Sequence, residues 1–172
     1  MNHSDHVNLI RAGVTYGTWA DFGSGTGAFT LALADLLGKD GIIYSIDRDG
    51  KALREQQTAM QSRFPVVTVH YHQADFLQRI DLPKLDGILM ANSLHFHRDK
   101  EAVLRRIKDY LRPGGRLILV EYNVDHGNTW VPYPLSYTTW EKLAQIVGFA
   151  HTQQLATQPS RFLKEMYSAV SE

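Results

Sequence analysis

The sequence predicts an α/β fold, a three-layer sandwich in which helices cover a mostly parallel seven-stranded sheet that ends in an antiparallel C-terminal hairpin. Three observations predict it. Apolar runs of about five residues alternate with helical segments, and Gly, Asp and Pro punctuate the joints. After Tyr122 the rhythm changes to a long loop with prolines and aromatics, then a helix. The tail, HTQQLATQPSRFLKEMYSAV, reads as two strands. Short apolar strands joined by amphipathic helices need a parallel sheet covered on both faces, with right-handed crossovers.

Residues 1–16 are expected to form a short helix or arm over the active site at the top of the sheet. Strands are expected at Trp19 to Phe22, Ile42 to Ile46, Val66 to Tyr71, Ile88 to Ala91 and Leu117 to Glu121. Helices are expected from Ala28 to Leu37, Gly50 to Arg63 and Asp99 to Leu111. Gly38 suits the left-handed residue that follows a helix. Pro113, Gly114 and Gly115 read as a helix stop and turn. A further helix is expected from Thr138 to Val147, closed by Gly148, and the final hairpin turns at Gln158 to Ser160.

A length of 172 residues fits one domain, 1–172, around one core, with 44% apolar residues to fill it. Lys plus Arg and Asp plus Glu are 18 each, so no net field draws the chain to nucleic acid or an anionic membrane. The absence of cysteine removes disulfides, thiolate catalysis and sulfur-ligated metals. No apolar run has membrane length, and the N-terminal stretch lacks the pattern of a signal peptide, so a cytoplasmic protein is expected.

The stretch WADFGSGTGAF places Gly23, Gly25 and Gly27 between the first strand and the first long helix. In an open parallel sheet the ligand crevice lies outside the carboxyl ends of the strands. Glycines there allow positive φ and close approach of a ligand to the main chain, while the helix start offers free N–H groups to a negative group. GSGTGA also fits the dinucleotide fingerprint. Asp47, at the end of the second strand, can accept both ribose hydroxyls of an adenosine and repels a 2′-phosphate, which disfavours NADP.

WADFGSGTG, YSID, QADF, LDGILMANSLHF and LRPGGRLILVEY, in that order, resemble the motifs of class I S-adenosylmethionine-dependent methyltransferases. The resemblance runs from about Trp19 to the C-terminus and implies a Rossmann-like fold, S-adenosyl-L-methionine as cofactor and methyl transfer as the activity. It implies that Asp47 meets the ribose, that Asp75 and Phe76 hold the adenine, and that Asn92 lies beside the methionine moiety. The implied cofactor-binding set is Asp21, Gly23, Ser24, Gly25, Gly27, Asp47, Arg48, Asp75, Phe76 and Asn92. Asp75 has no role in the plain dinucleotide fingerprint, and it favours the sulfonium cofactor.

His95, which follows the fourth strand, is the candidate general base, since imidazole titrates near neutral pH. Tyr122, His126, Trp130 and Tyr133 are candidate acceptor-binding residues. With Tyr137 and Trp140, the last two belong to an aromatic cluster that suits a flat or apolar small-molecule acceptor. The pocket should be rather open, leaving room for a bulky acceptor or for a second subunit in a homodimer. The histidine pairs, among them His70 with His72, have no matching carboxylate cluster, so no metal is expected. Two other functions stay open: an NAD-dependent oxidoreductase, and a module that binds S-adenosylmethionine without catalysis.

Overall fold

The computed structural model describes residues 1–172. Seven strands form one sheet: β1 (Thr18–Phe22), β2 (Ile42–Asp47), β3 (Thr68–Gln73), β4 (Leu85–Ala91), β5 (Leu111–Tyr122), β6 (Thr152–Ser160) and β7 (Lys164–Ser171). Their order is β3-β2-β1-β4-β5-β7-β6. The pairs from β3 to β5 are parallel, and β7 runs antiparallel to both β5 and β6. Because the chain moves outward from β1 first to β3 and then to β5, the order reverses between β1 and β4. A crevice is expected above that point.

Five α-helices cover the sheet: α1 (His3–Ile10), α2 (Ala28–Leu37), α3 (Gly50–Arg63), α4 (Lys100–Lys108) and α5 (Tyr137–Ile146). One core packs α1, α2 and Met60 of α3 against Trp19, Ile43, Leu89, Ile118 and Val170. The other packs Val103, Leu104 and Ile107 of α4 and Trp140 and Ala144 of α5 against Ala20, Ile88, Leu117 and Tyr167. Along β1, β4 and β5 successive residues feed opposite cores, so their central runs, such as Ile88 to Ala91 and Leu117 to Val120, are continuously apolar rather than alternating. No helix is long and apolar enough to cross a membrane.

The ends of α2 and α3 fall where the residue pattern puts them, with Gly38 at φ 64° closing α2. Other boundaries move for local reasons. Pro65 and Val66 belong to a turn in which the Val67 N–H bonds the Phe64 carbonyl, so β3 begins at Thr68 rather than Val66. Asp99 caps α4 by accepting from the Ala102 N–H, and the helix stops at Lys108 because Leu111 pairs with Leu85 in the sheet. Thus β5 carries Pro113, Gly114 and Gly115 within it, with an irregularity in its pairing to β4, where a helix stop and turn are expected.

The hairpin turns at residues 161–163, not at Gln158 to Ser160. Pro159 pairs with Glu165, and this is tolerated because β6 is an edge strand where a missing N–H leaves no ladder bond unmade. The N-terminal helix also lies elsewhere than expected. Val7, Leu9 and Ile10 are buried in the α2 side of the sheet, and the Ser168 hydroxyl bonds the Leu9 carbonyl at 2.5 Å. It covers a face of the sheet, and no residue of 1–16 lines the crevice above the strand ends.

Candidate functional site

The glycine loop is held from below and behind. Gly23 and Ser24 donate their N–H groups to the Ile46 carbonyl at 2.8 and 3.1 Å, and the Gly25 N–H donates to Asp47 Oδ2 at 2.8 Å. Gly23, Gly25 and Gly27 have φ of 78°, 54° and 87°, a region that side chains resist. Their surroundings differ. A Cβ on Gly23 would strike Ser93 and one on Gly27 would strike Gln56, whereas a Cβ on Gly25 would meet nothing within 4 Å. Of the three, only Gly25 would direct a side chain into open space. The other two are glycine because the protein's own side chains crowd them.

A crevice of about 260 Å³ opens beside this loop. Gly23, Asp47 and Arg48 form one side, residues 74–77 the next, and Asn92, Ser93, Phe96 and His97 the third. Both Asp47 oxygens already accept backbone N–H groups, from Gly25 and from Asp49, each at 2.8 Å. A carboxylate oxygen has two acceptor sites, so capacity remains. Asp75 accepts from the Leu77 N–H at 2.9 Å, and the Phe76 ring packs edge-on to Phe22 with centroids 6.0 Å apart. Asn92 holds φ 54°, and its Oδ1 is buried without a partner, an arrangement that favours an N–H donor from a ligand.

Other predicted cofactor residues stand behind this wall. Asp21 is buried and accepts from the Thr30 hydroxyl at 2.6 Å. Burial raises its carboxyl to about 7; the Thr30 bond opposes the rise and the Asp47 charge adds to it. Ser24 turns under the loop, 2.8 Å from the Ser45 hydroxyl and 3.4 Å from Gln56, so its side chain faces away from the crevice. No side chain caps the N-terminus of α2, which leaves its first N–H groups for another partner.

His95 lies in a single 3-10 turn, Leu94–Phe96, after β4. Its Nδ1 is 2.7 Å and 3.0 Å from the two oxygens of Glu121, the next-to-last residue of β5. The side chains are 4% and 0% exposed, so neither group is solvated by bulk water. Burial pushes the Glu121 carboxyl up, and the bond from His95 pulls it back. A proton shared between Nδ1 and the carboxylate leaves Nε2 as the basic nitrogen, and Nε2 makes no hydrogen bond within the protein.

Tyr122 lies beside this pair, its ring centroid 6.1 Å from that of His95. Tyr133 fixes the turn by donating its N–H to the His95 carbonyl at 3.0 Å, and its ring carries the Lys100 ammonium 5.6 Å above it. His126 and Trp130 stand on the exposed loop after β5, and Trp140 is in the core. The expected aromatic cluster is therefore not one wall. A ring outside the expected cluster, Phe162 at the hairpin tip, sits 5.8 Å from Tyr122. Its position depends on how the hairpin folds back across β5, and sequence spacing carries no signal of that.

Residues 20–117, more than half of the chain, match the family model described as a methyltransferase domain. The chain is 31% identical over 105 residues to the ubiquinone/menaquinone biosynthesis C-methyltransferase UbiE of Shewanella sp. (strain ANA-3), covering 60% of this chain and 41% of that protein. It thus spans about two fifths of the length of the curated relatives it matches. Among solved structures, the YcgJ protein from Bacillus subtilis superposes with a TM-score of 0.78 at 12% identity, covering 99% of this chain and 98% of that one. The mitomycin 7-O-methyltransferase MmcR gives 0.73 at 17% identity, over 98% of this chain and 53% of that one. At such identities these likenesses show the fold, a Rossmann-like sandwich. Family, fold and motif order agree, and the chain belongs to the class I S-adenosylmethionine-dependent methyltransferases.

Proposed function

We propose that this chain binds S-adenosyl-L-methionine and transfers its methyl group to a small-molecule acceptor, with His95 as general base. The buried His95–Glu121 pair carries this reading, because a protein that only bound the cofactor would not need an oriented imidazole at the carboxyl end of β4. The crevice residues suit the cofactor. Asp47 and Asp75 would take the ribose and adenine ends, Phe76 a face of the base, and the unpartnered Asn92 Oδ1 the ammonium. The uncapped start of α2 suits the carboxylate, while Asp21, buried and bonded to Thr30, supports the loop from behind the crevice wall.

When bound, the cofactor supplies a methyl group already activated by a cationic sulfur. The chain's own work is then to align the acceptor, exclude water and remove a proton. His95 Nε2 takes that proton, and Glu121 holds the ring in the right tautomer and stabilises the imidazolium that results.

Calorimetric titration with S-adenosylhomocysteine, paired with turnover of a labelled methyl donor on acceptor mixtures, tests the proposal. Saturable binding is expected, with no rise in melting temperature from NAD. His95→Ala should leave the affinity for S-adenosylhomocysteine within about twofold of wild type and lower turnover by about 10²-fold or more. Stabilisation by NAD and none by S-adenosylhomocysteine would overturn the cofactor; tight binding with no turnover on any acceptor would overturn the enzyme.

A further inference from the structure

Resting on that reading of the site, we propose that the acceptor is an uncharged, planar, conjugated ring compound held between Phe96 and Phe162, with Tyr122 as the wall between them. Four rings follow one another across the carboxyl ends of β4 and β5. Phe96 is 4.3 Å from His95, His95 is 6.1 Å from Tyr122, and Tyr122 is 5.8 Å from Phe162. The two outer rings are 59% and 47% exposed, although a phenylalanine gains most when buried. They flank His95, whose Nε2 makes no hydrogen bond within the protein.

Neither ring is loosely placed. Phe96 ends the 3-10 turn that also carries His95. Phe162 sits at the hairpin tip, and Asn123 ties that tip to the end of β5 with two bonds, from its N–H to the Glu165 carbonyl at 3.0 Å and from its side-chain amide to Glu165 Oε1 at 2.7 Å. The neighbouring Lys164 takes φ 65°, the cost of turning the hairpin so that Phe162 faces Tyr122.

Three of the charged groups around the rings are already engaged. Glu121 is bonded to His95, Glu165 to Asn123, and Lys100 to the His97 carbonyl and the Tyr133 ring. Arg161 and Lys164 flank the tip on its exposed side. The rings nearest His95 are those of Phe96 and Tyr122, surfaces that recognise a flat π-system and give a charged acceptor no buried counter-ion.

The test is equilibrium binding of 1,3-dihydroxynaphthalene to the full chain, followed by its fluorescence, with S-adenosylhomocysteine titrated separately by calorimetry. Saturable binding is expected. Phe96→Ala and Phe162→Ala should each weaken it about tenfold, and Phe162→Tyr should restore it. Acetylacetone, of similar acidity but without a ring, should bind at least about tenfold more weakly. Phe162→Ala and Phe162→Tyr, which lie outside the cofactor crevice, should leave S-adenosylhomocysteine affinity unchanged. Unchanged naphthalenediol binding in both alanine variants, equal binding of acetylacetone, or tighter binding of 2-naphthoate would each overturn the proposal. Loss of S-adenosylhomocysteine binding in the wild-type chain would instead count against the cofactor reading alone.

Discussion

His95 could be singled out from the sequence because it follows an apolar strand in a motif with a clear place in the fold. Its partner could not. Glu121 is 26 positions away, and only the adjacency of β4 and β5 brings the two strand ends together. The same limit hides the inward turn of Ser24, since its target Ser45 lies on a neighbouring strand. Glu121→Gln should keep the site's shape but remove the charge that stabilises a protonated imidazole. Turnover should fall about 10²-fold with little change in acceptor KM, as steady-state kinetics would show. Asp21 makes a prediction of different sign. Its folded pKa, about 7, lies above the ordinary 3.8, so the folded state holds the proton more tightly between those values. Stability should therefore fall as pH rises from about 4 through 7, and the loss should persist at higher pH. Asp21→Asn should flatten that fall, read as the difference in melting temperature between variant and wild type from pH 5 to 8.

Elements whose ends are set by local chemistry were legible. Helix α2 begins after Gly27 and ends at Gly38, and α3 begins after Asp49 and stops before Pro65, punctuation that acts on its own backbone. Elements whose ends are set by pairing were not, as the early stop of α4 and the late turn of the hairpin show: Leu111 and Pro159 take strand positions because Leu85 and Glu165 are opposite them. The glycine loop belongs to both kinds. Its positive φ values are expected, but crowding by Ser93 and Gln56 comes from the turn after β4 and from α3. Gly25→Ala should cost about 1–2 kcal/mol through backbone strain alone. Gly27→Ala carries the same strain and also displaces Gln56, so it should cost more. Chemical denaturation of the two variants would order them, and equal costs would contradict the crowding argument.

At the scale of the molecule the sheet separates two apolar cores of similar depth, and neither is dispensable. Leu33→Ala on the α2 side and Leu104→Ala on the α4 side each remove a fully buried leucine. Each should cost about 2–5 kcal/mol. Because the sheet stands between them, the double variant should lose nearly the sum, measured by urea unfolding. A large departure from additivity would mean that the layers are coupled through the strands.

The placing of β7 has one more outcome. This strand is the last of the seven in the chain, yet it lies inside the sheet, with β5 on one side and β6 on the other. On the ribosome, β6 emerges with nothing to attach to until Lys164 and its successors follow it. A message cut short before that codon would release a chain whose sheet ends raw at β5, with a loose β6 trailing, and such a product should be cleared by proteases rather than persist as a weakened enzyme.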